Sequence, residues 1–411
     1  MNAVIIGAGH SGVQAAESLR SEGYAGGIVI LEKAVQLPYQ RPPLSKDYMK
    51  EGGDSAPVPL RGPAFYAEHD IDLRTGAEVV RIDPENRSVH VKGGEPLFYS
   101  ELIIAAGAEA RRAACAGSEL EGISYLRTVE DAEALRAETD RGRGRVVVVG
   151  AGFIGLEYAA VAAQRGLDVT VIDFAQRPMQ RVLSPSMSDY FAQLHTGSGV
   201  KLNFGEGLDH FVGEQGRVTG VVGTSGMSYP CDFAVVGLGV VTDDDLAVAA
   251  RIKCDRGILV DEYLRTNAPD TYAIGDVAVF PSSHFGGNLR LESVQNATDM
   301  AKTVAKTITG NPSTYDVAPW FWSNQGPVKL QIVGLADPAD TVVERGSRSS
   351  GKFSQFLFRD GQLAAVESVN APADHVAARK LLENRAGITM EQARDQNFDL
   401  KGYARSLPVP Q

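Results

Sequence analysis

The 411-residue sequence predicts an α/β fold with two Rossmann-like dinucleotide-binding domains and a smaller C-terminal α+β domain. Three observations predict it. The loop Gly7-Ala8-Gly9-His10-Ser11-Gly12 recurs 143 residues later as Gly150-Ala151-Gly152-Phe153-Ile154-Gly155. Each copy follows an apolar run (Ala3 to Ile6, then Val146 to Val149) and opens a helical pattern (Val13 to Leu19, then Leu156 to Ala163). Each is followed by an acid at the end of a second apolar strand: Glu32 and Asp173 stand 20 and 18 residues past the last glycine. In such a unit the first glycine makes a tight turn. The second lets backbone approach a pyrophosphate, and the third lets the helix pack on the strand. The helix N-terminus holds phosphate charge, and the acid takes a ribose hydroxyl. Two units imply two dinucleotides, most economically a flavin and a nicotinamide between which a hydride passes.

The remaining segments follow in order. Leu37 to Lys46 contains Pro42-Pro43, which restricts the backbone to an ordered extended loop before a short helix. Mixed strands are expected from Leu73 to Val91, and an apolar strand from Ser100 closes on Ala105-Ala106-Gly107. Arg111 to Gly122 reads as a crossing linker. After the second unit, strands are expected at Lys201 to Phe204, Arg217 to Val222 and Cys231 to Gly239. The chain then returns to the first domain, where Thr271 to Asp276 delivers an aspartate at a glycine turn. A helix over Ser293 to Thr309 follows. From Pro319 the pattern changes to strands at Lys329 to Gly334, Thr341 to Arg345, Phe353 to Phe358 and Gln362 to Val369. Asp360-Gly361 signals a hairpin. A closing helix spans Asp374 to Asn384, with Asp374 its candidate N-cap.

Composition excludes several classes. A net charge of −11 argues against a nucleic-acid surface. No apolar run reaches membrane-span length, and Ala3 enters a strand without a charged leader, so a cytoplasmic protein is expected. Cys115, Cys231 and Cys254 are widely spaced, which disfavours a disulfide framework and a dithiol relay. The histidines show no metal-ligand spacing, and no metal is expected. His10 reads as a loop residue.

With these motifs in place, the chain resembles the FAD-dependent ferredoxin reductases of bacterial oxygenase systems, putidaredoxin reductase-like and biphenyl dioxygenase ferredoxin reductase-like. The resemblance covers the whole length. It is carried by both glycine loops, Arg41 to Lys46, Phe153 to Glu157, Ala273 to Asp276, Glu292 to Ala297 and Pro319 to Gln325. Asn324, Ala106 and Thr242-Asp243 depart from the family's usual residues. The resemblance implies a glutathione reductase-like architecture. Residues 1–108 and 240–316 would bind FAD, residues 109–239 NADH, and residues 317–411 would form the α+β domain on the ferredoxin side. It implies tightly bound FAD held by Gly7, Gly9, Ser11, Gly12 and Glu32. Arg41, Val79, Arg127, Gly275, Asp276 and Val294 line that cofactor. NADH is the substrate, received by Gly150, Gly152, Ile154, Gly155, Asp173 and Arg181. Lys46 and Glu157 meet near flavin N5, and Trp322 lies between the flavin and the docking surface.

The expected activity is NADH:ferredoxin oxidoreduction, with electrons delivered singly to a small acidic 2Fe-2S ferredoxin. That ferredoxin feeds a monooxygenase or a ring-hydroxylating dioxygenase. Arg290, Lys302, Lys306 and Lys329 are candidate ferredoxin contacts. Asp173 favours NADH over NADPH, while Arg177 or Arg181 could hold phosphate. Trp320 and Trp322, separated by Phe321, are expected on opposite faces of an extended segment. A monomer or weak homodimer is expected, with no nucleic-acid or membrane partner. The alternatives are a rubredoxin reductase, an NADH oxidase or a monodehydroascorbate reductase of the same architecture. A redox sensor resembling apoptosis-inducing factor is the alternative from another class.

Overall fold

The computed structural model describes residues 2–50, 52, 56–141, 144–284 and 286–408. The chain divides into two compact units. The first comprises residues 1–40, 58–109 and 241–319; the second comprises 41–57, 110–240 and 320–411. The segment 41–57, inside the range expected for the first domain, groups with the second unit.

A five-stranded sheet forms the heart of the first unit. Its order is Thr271–Ala273, Glu101–Ile104, Asn2–Ile6, Gly27–Glu32 and Ile71–Thr75, all parallel. Val4 pairs with Val29 on one side and Leu102 on the other. Strands covered on both faces read as continuous apolar runs, and Ala3, Val4, Ile5, Ile30, Ile103 and Ile104 are fully buried. Helices His10–Ser21 and Val294–Ile308 pack together, the second N-capped by Ser293, whose Oγ accepts from the Asn296 amide.

The second unit repeats the plan. Lys201–Phe204, Asp168–Asp173, Arg145–Val149, Phe233–Val236 and Ile123–Ser124 form another parallel sheet in that order. Its C-terminal part is an antiparallel sheet ordered Trp320–Gln325, Val328–Gly334, Gln362–Val369, Lys352–Arg359 and Thr341–Ser347. Arg359 pairs with Gln362, leaving Asp360 (φ 49°) and Gly361 (φ 76°) as a two-residue turn. Positive φ at both central residues is what that turn requires. The architecture is thus α/β with Rossmann-like topology and a C-terminal domain.

Two expectations fail locally. The closing helix is Pro372–Glu383, and its N-cap is Ala371 rather than Asp374. Proline suits the first helical turn, which starts the helix earlier, and Asp374 instead accepts a hydrogen bond from Ser354 Oγ at 2.9 Å. The sequence reading also passed over the helices Val129–Thr139 and Pro185–Gly197 and the strand Leu208–Glu214. Among the described residues, no helix is long and apolar enough to cross a membrane.

The glycine loops set the helix positions. A Cβ on Gly12 or Gly155 would fall inside the carbonyl oxygen of Gly7 or Gly150, so each helix rests on bare backbone. Gly155→Ala should therefore lower thermal stability by roughly 1–3 kcal/mol through overpacking. Gly152→Ala, where nothing lies within 4 Å, should cost markedly less. Melting curves of the two variants compare them directly; equal losses would refute this packing.

Candidate functional site

The first loop has the geometry of a phosphate cradle. Gly7 (φ 96°) turns the chain, its amide donating to the Leu31 carbonyl at 2.8 Å. Around Gly9 a Cβ would meet no atom within 4 Å, leaving space for a ligand against the backbone. Glu32 Oε2 accepts from the Ala8 amide at 2.7 Å and Oε1 from the Ala34 amide at 2.9 Å. The carboxylate is thus anchored at the loop. Ser11 is buried against Gly275 (φ 77°), where a Cβ would stand 2.7 Å from Ser11 Oγ. The Asp276 carbonyl accepts from Arg290 at 3.1 Å, Val79 starts the strand Val79–Asp83, and Val294 opens its helix. Gly7, Gly9, Ser11, Gly12, Glu32, Val79, Gly275, Asp276 and Val294 all belong to the first unit.

The second loop repeats these contacts. Gly150 (φ 108°) donates to the Ile172 carbonyl at 2.8 Å, and nothing would meet a Cβ on Gly152 within 4 Å. Asp173 Oδ2 accepts from the Ala151 amide at 2.5 Å and Oδ1 from the Ala175 amide at 2.7 Å. Both loops therefore fit a dinucleotide: open at the middle glycine, closed at the third, with an acid beside the helix start. Arg181 is exposed, its guanidinium beside Gly239. Arg177 is committed elsewhere, donating to the Leu183 and Gln180 carbonyls and Ser188 Oγ at 2.6–3.2 Å. These bonds leave it holding its own turn rather than reaching for phosphate. Arg41 and Arg127 also lie in this second unit, with Lys46, the second-loop residues and Trp322.

A buried carboxylate organises the start of the second helix. Glu157 lies on Phe153–Gln164 and is only 3% exposed. An isolated charge there would be prohibitive. Its Oε2 accepts from Lys46 Nζ at 2.7 Å and Ser45 Oγ at 2.5 Å, and Oε1 accepts from Ser323 Oγ at 2.6 Å. Lys46 also donates to the Pro42 carbonyl at 3.1 Å. The Ser323 hydroxyl accepts from Gln325 Nε2 at 2.8 Å, and Gln325 Oε1 lies 3.0 Å from His195 Nε2. With the glutamine amide so oriented, His195 donates. Burial pulls the His195 pKa down to about 4, which keeps the ring neutral.

Strand alternation explains who takes part. Phe321, Ser323 and Gln325 share one face of Trp320–Gln325 and meet the helix; Phe321 packs on Phe153 with ring centroids 4.6 Å apart. Trp320 and Trp322 share the other face, their rings 5.7 Å apart, contrary to the opposite faces expected. Side chains alternate with period two, so residues two apart must point the same way. Arg379 lies over the Trp320 ring at 4.5 Å. Sequence reasoning missed Ser45, Ser323, Gln325 and His195. The period-two pattern of the tryptophan segment could have flagged Ser323 and Gln325.

Beside this network lies a cavity of about 270 Å³ lined by Lys46, Lys50, Glu157, Asn324 and Lys329 among others. Of the candidate docking cations, Arg290 pairs with Glu292 at 2.7 Å and Lys302 with Asp299 at 3.5 Å. The cysteines are unpaired to one another, and burial pushes the Cys231 thiol up to about 12. Among the described residues, no His/Cys/Asp/Glu group could hold a metal ion.

Comparison with known proteins places the chain among relatives matched over nearly its whole length. Residues 1–301 match the pyridine nucleotide-disulphide oxidoreductase family and residues 320–404 the reductase C-terminal family. The chain is 46% identical to rhodocoxin reductase of Rhodococcus erythropolis, over 98% of this chain and 94% of that protein. It is 44% identical to the crystal structure of the ferredoxin reductase for the CYP199A2 system from Rhodopseudomonas palustris, with a TM-score of 0.95 over 98% and 99% of the two chains. The crystal structure of the covalent putidaredoxin reductase–putidaredoxin complex matches with 33% identity and a TM-score of 0.93, over 99% of each chain.

His195 generates a pH prediction. Its folded pKa lies below the ordinary histidine value, so stability is full above about pH 6.5 and falls as pH drops toward 4. Between pH 7.5 and 5 the wild type should lose about 2 kcal/mol more than His195→Gln. Urea unfolding at both pH values tests this; parallel losses would contradict a buried neutral histidine.

Proposed function

The chain belongs to the pyridine nucleotide-disulphide oxidoreductase family, among the ferredoxin, rubredoxin and putidaredoxin reductases of bacterial oxygenase systems, and we propose that it is an FAD-dependent NADH:ferredoxin oxidoreductase. One observation carries the reading: two glycine cradles, each with its own acid hydrogen-bonded to the loop. On this reading residues 1–108 and 240–316 hold FAD, residues 109–239 receive NADH, and residues 317–411 serve the ferredoxin side of a glutathione reductase-like architecture. Bound FAD supplies the exchange between a two-electron hydride input and a one-electron output, which no side chain supplies.

The protein's own part is binding and charge. Gly7, Gly9, Ser11, Gly12 and Glu32 hold FAD, with Arg41, Val79, Arg127, Gly275, Asp276 and Val294 lining it. Gly150, Gly152, Ile154, Gly155, Asp173 and Arg181 receive NADH. Lys46 offers the flavin a fixed positive charge, which favours an added electron pair. Glu157 and Ser45 hold its ammonium in place. Trp322 serves the electron exit. The partner is a small acidic 2Fe-2S ferredoxin; the names of the similar proteins, rhodocoxin reductase and putidaredoxin reductase, support a small redox partner.

The decisive assay is cytochrome c reduction by NADH with and without a 2Fe-2S ferredoxin. Fast reduction that needs the ferredoxin is expected. Turnover that needs rubredoxin instead, or slow turnover with any carrier, would favour the alternatives. The Asp173 carboxylate repels a 2′-phosphate, so kcat/KM should favour NADH over NADPH by at least about tenfold. Comparable values would refute that role. Lys46→Met should slow flavin reduction in anaerobic stopped flow and lower the flavin potential. If neither moves, the Lys46–Glu157 pair is structural only.

A further inference from the structure

Phe174 follows Asp173 directly and is 79% exposed, more than any other large apolar side chain among the described residues. Single exposed apolar residues are common, so exposure alone assigns it nothing. Its place in the fold does. The turns that follow the two acids match residue by residue. In the first, the Ala34 carbonyl accepts from the Gly76 amide at 2.9 Å and the Glu32 carbonyl from the Ala77 amide at 2.8 Å. In the second, the Ala175 carbonyl accepts from the Gly205 amide at 2.9 Å and the Asp173 carbonyl from the Glu206 amide at 2.9 Å. Phe174 therefore stands where the first copy has Lys33. The Lys33 ammonium is bonded to Glu109 at 2.5 Å and approaches Asp243 at 3.5 Å. The Phe174 ring lies beside Gly207, where a Cβ would stand 3.6 Å from its Cδ2, and most of the side chain is open to water.

Both turns lie at the carboxyl ends of parallel strands, the edge where such sheets bind ligands. If Asp173 takes a hydroxyl of the adenosine ribose, the base is bonded to that same ribose. The next side chain along the turn is Phe174. We propose that Phe174 is the stacking platform for the adenine of NADH, and so selects adenine dinucleotides over the bare nicotinamide nucleotide. The inference rests on reading the second loop as the NADH site. An aromatic face is what a base binds best, and it serves an exchanging ligand because it needs no rearranged ion pair.

Calorimetric titration of the purified holoenzyme with ADP-ribose tests the proposal, using wild type, Phe174→Ala and Phe174→Trp. Phe174→Ala should weaken binding about 5- to 10-fold, the low end for stacking on one open ring, and Phe174→Trp should restore it. The ratio of kcat/KM for NADH to that for reduced nicotinamide mononucleotide, which lacks the AMP half, should fall by a similar factor in Phe174→Ala. ADP-ribose affinity within twofold of wild type, or an unchanged ratio, overturns the platform while leaving the NADH site standing. A weakening that Phe174→Trp fails to restore also overturns it. Wild-type protein that neither binds ADP-ribose nor oxidises NADH removes the NADH site itself, and the platform with it.

Discussion

Two helices can start where they do only because two glycines have no side chain. At Gly12 and Gly155 the helix backbone lies against the carbonyl of the first loop glycine, and one methyl group would force them apart. That contact brings each helix N-terminus to the end of its strand. There the amide of Ala8 or Ala151 is within reach of Glu32 or Asp173. The middle glycine is left with open space beside it, and the positive end of the helix faces that space. Most of what makes these sites fit a phosphate-bearing ligand follows from that close approach.

The second loop carries an added layer. Its helix places Glu157 one turn in, buried, and the chain surrounds it with a cation and two hydroxyl donors. Removing one partner of such a buried pair typically costs about 3–5 kcal/mol. The donors come from well-separated stretches of sequence: Ser45 and Lys46 before the loop, Ser323 far after it. One carboxylate therefore ties Ser45-Lys46 and the tryptophan strand to the helix of the second loop. Glu367 makes a comparable junction, accepting from the Ser184 amide at 2.7 Å and its hydroxyl at 2.5 Å; burial lifts its pKa to about 7. Both junctions use groups that must stay satisfied, so they fix register as well as position.

Local signals were legible wherever backbone geometry restricts residue type. The glycine loops, the acids, the Asp360-Gly361 hairpin and the helix near Ser293 to Thr309 could be read directly. The Lys46–Glu157 contact came from family resemblance, since nothing in the spacing of positions 46 and 157 brings them together. Period-two alternation puts Ser323 and Gln325 on one face of their strand, but not what that face meets; His195 was invisible, because only tertiary packing brings it to Gln325. The shared face of Trp320 and Trp322 was available from strand geometry and was misjudged. Asp374 lost its expected capping position to Ala371, because the fixed φ of Pro372 starts the helix sooner.

The division of labour between the loops is the central claim, and the middle glycines expose it. Gly9 (φ −69°, ψ −172°) and Gly152 (φ −78°, ψ −178°) both have backbone angles open to a branched residue, so a side chain there acts mainly on the ligand. Flavin content and NADH-dependent bleaching of the purified Gly9→Val and Gly152→Val proteins are the measurement. Gly9→Val should purify without flavin. Gly152→Val should purify yellow and fail to bleach with NADH while still bleaching with dithionite. A yellow Gly9→Val protein, or a Gly152→Val protein that NADH bleaches at the wild-type rate, would contradict the assignment.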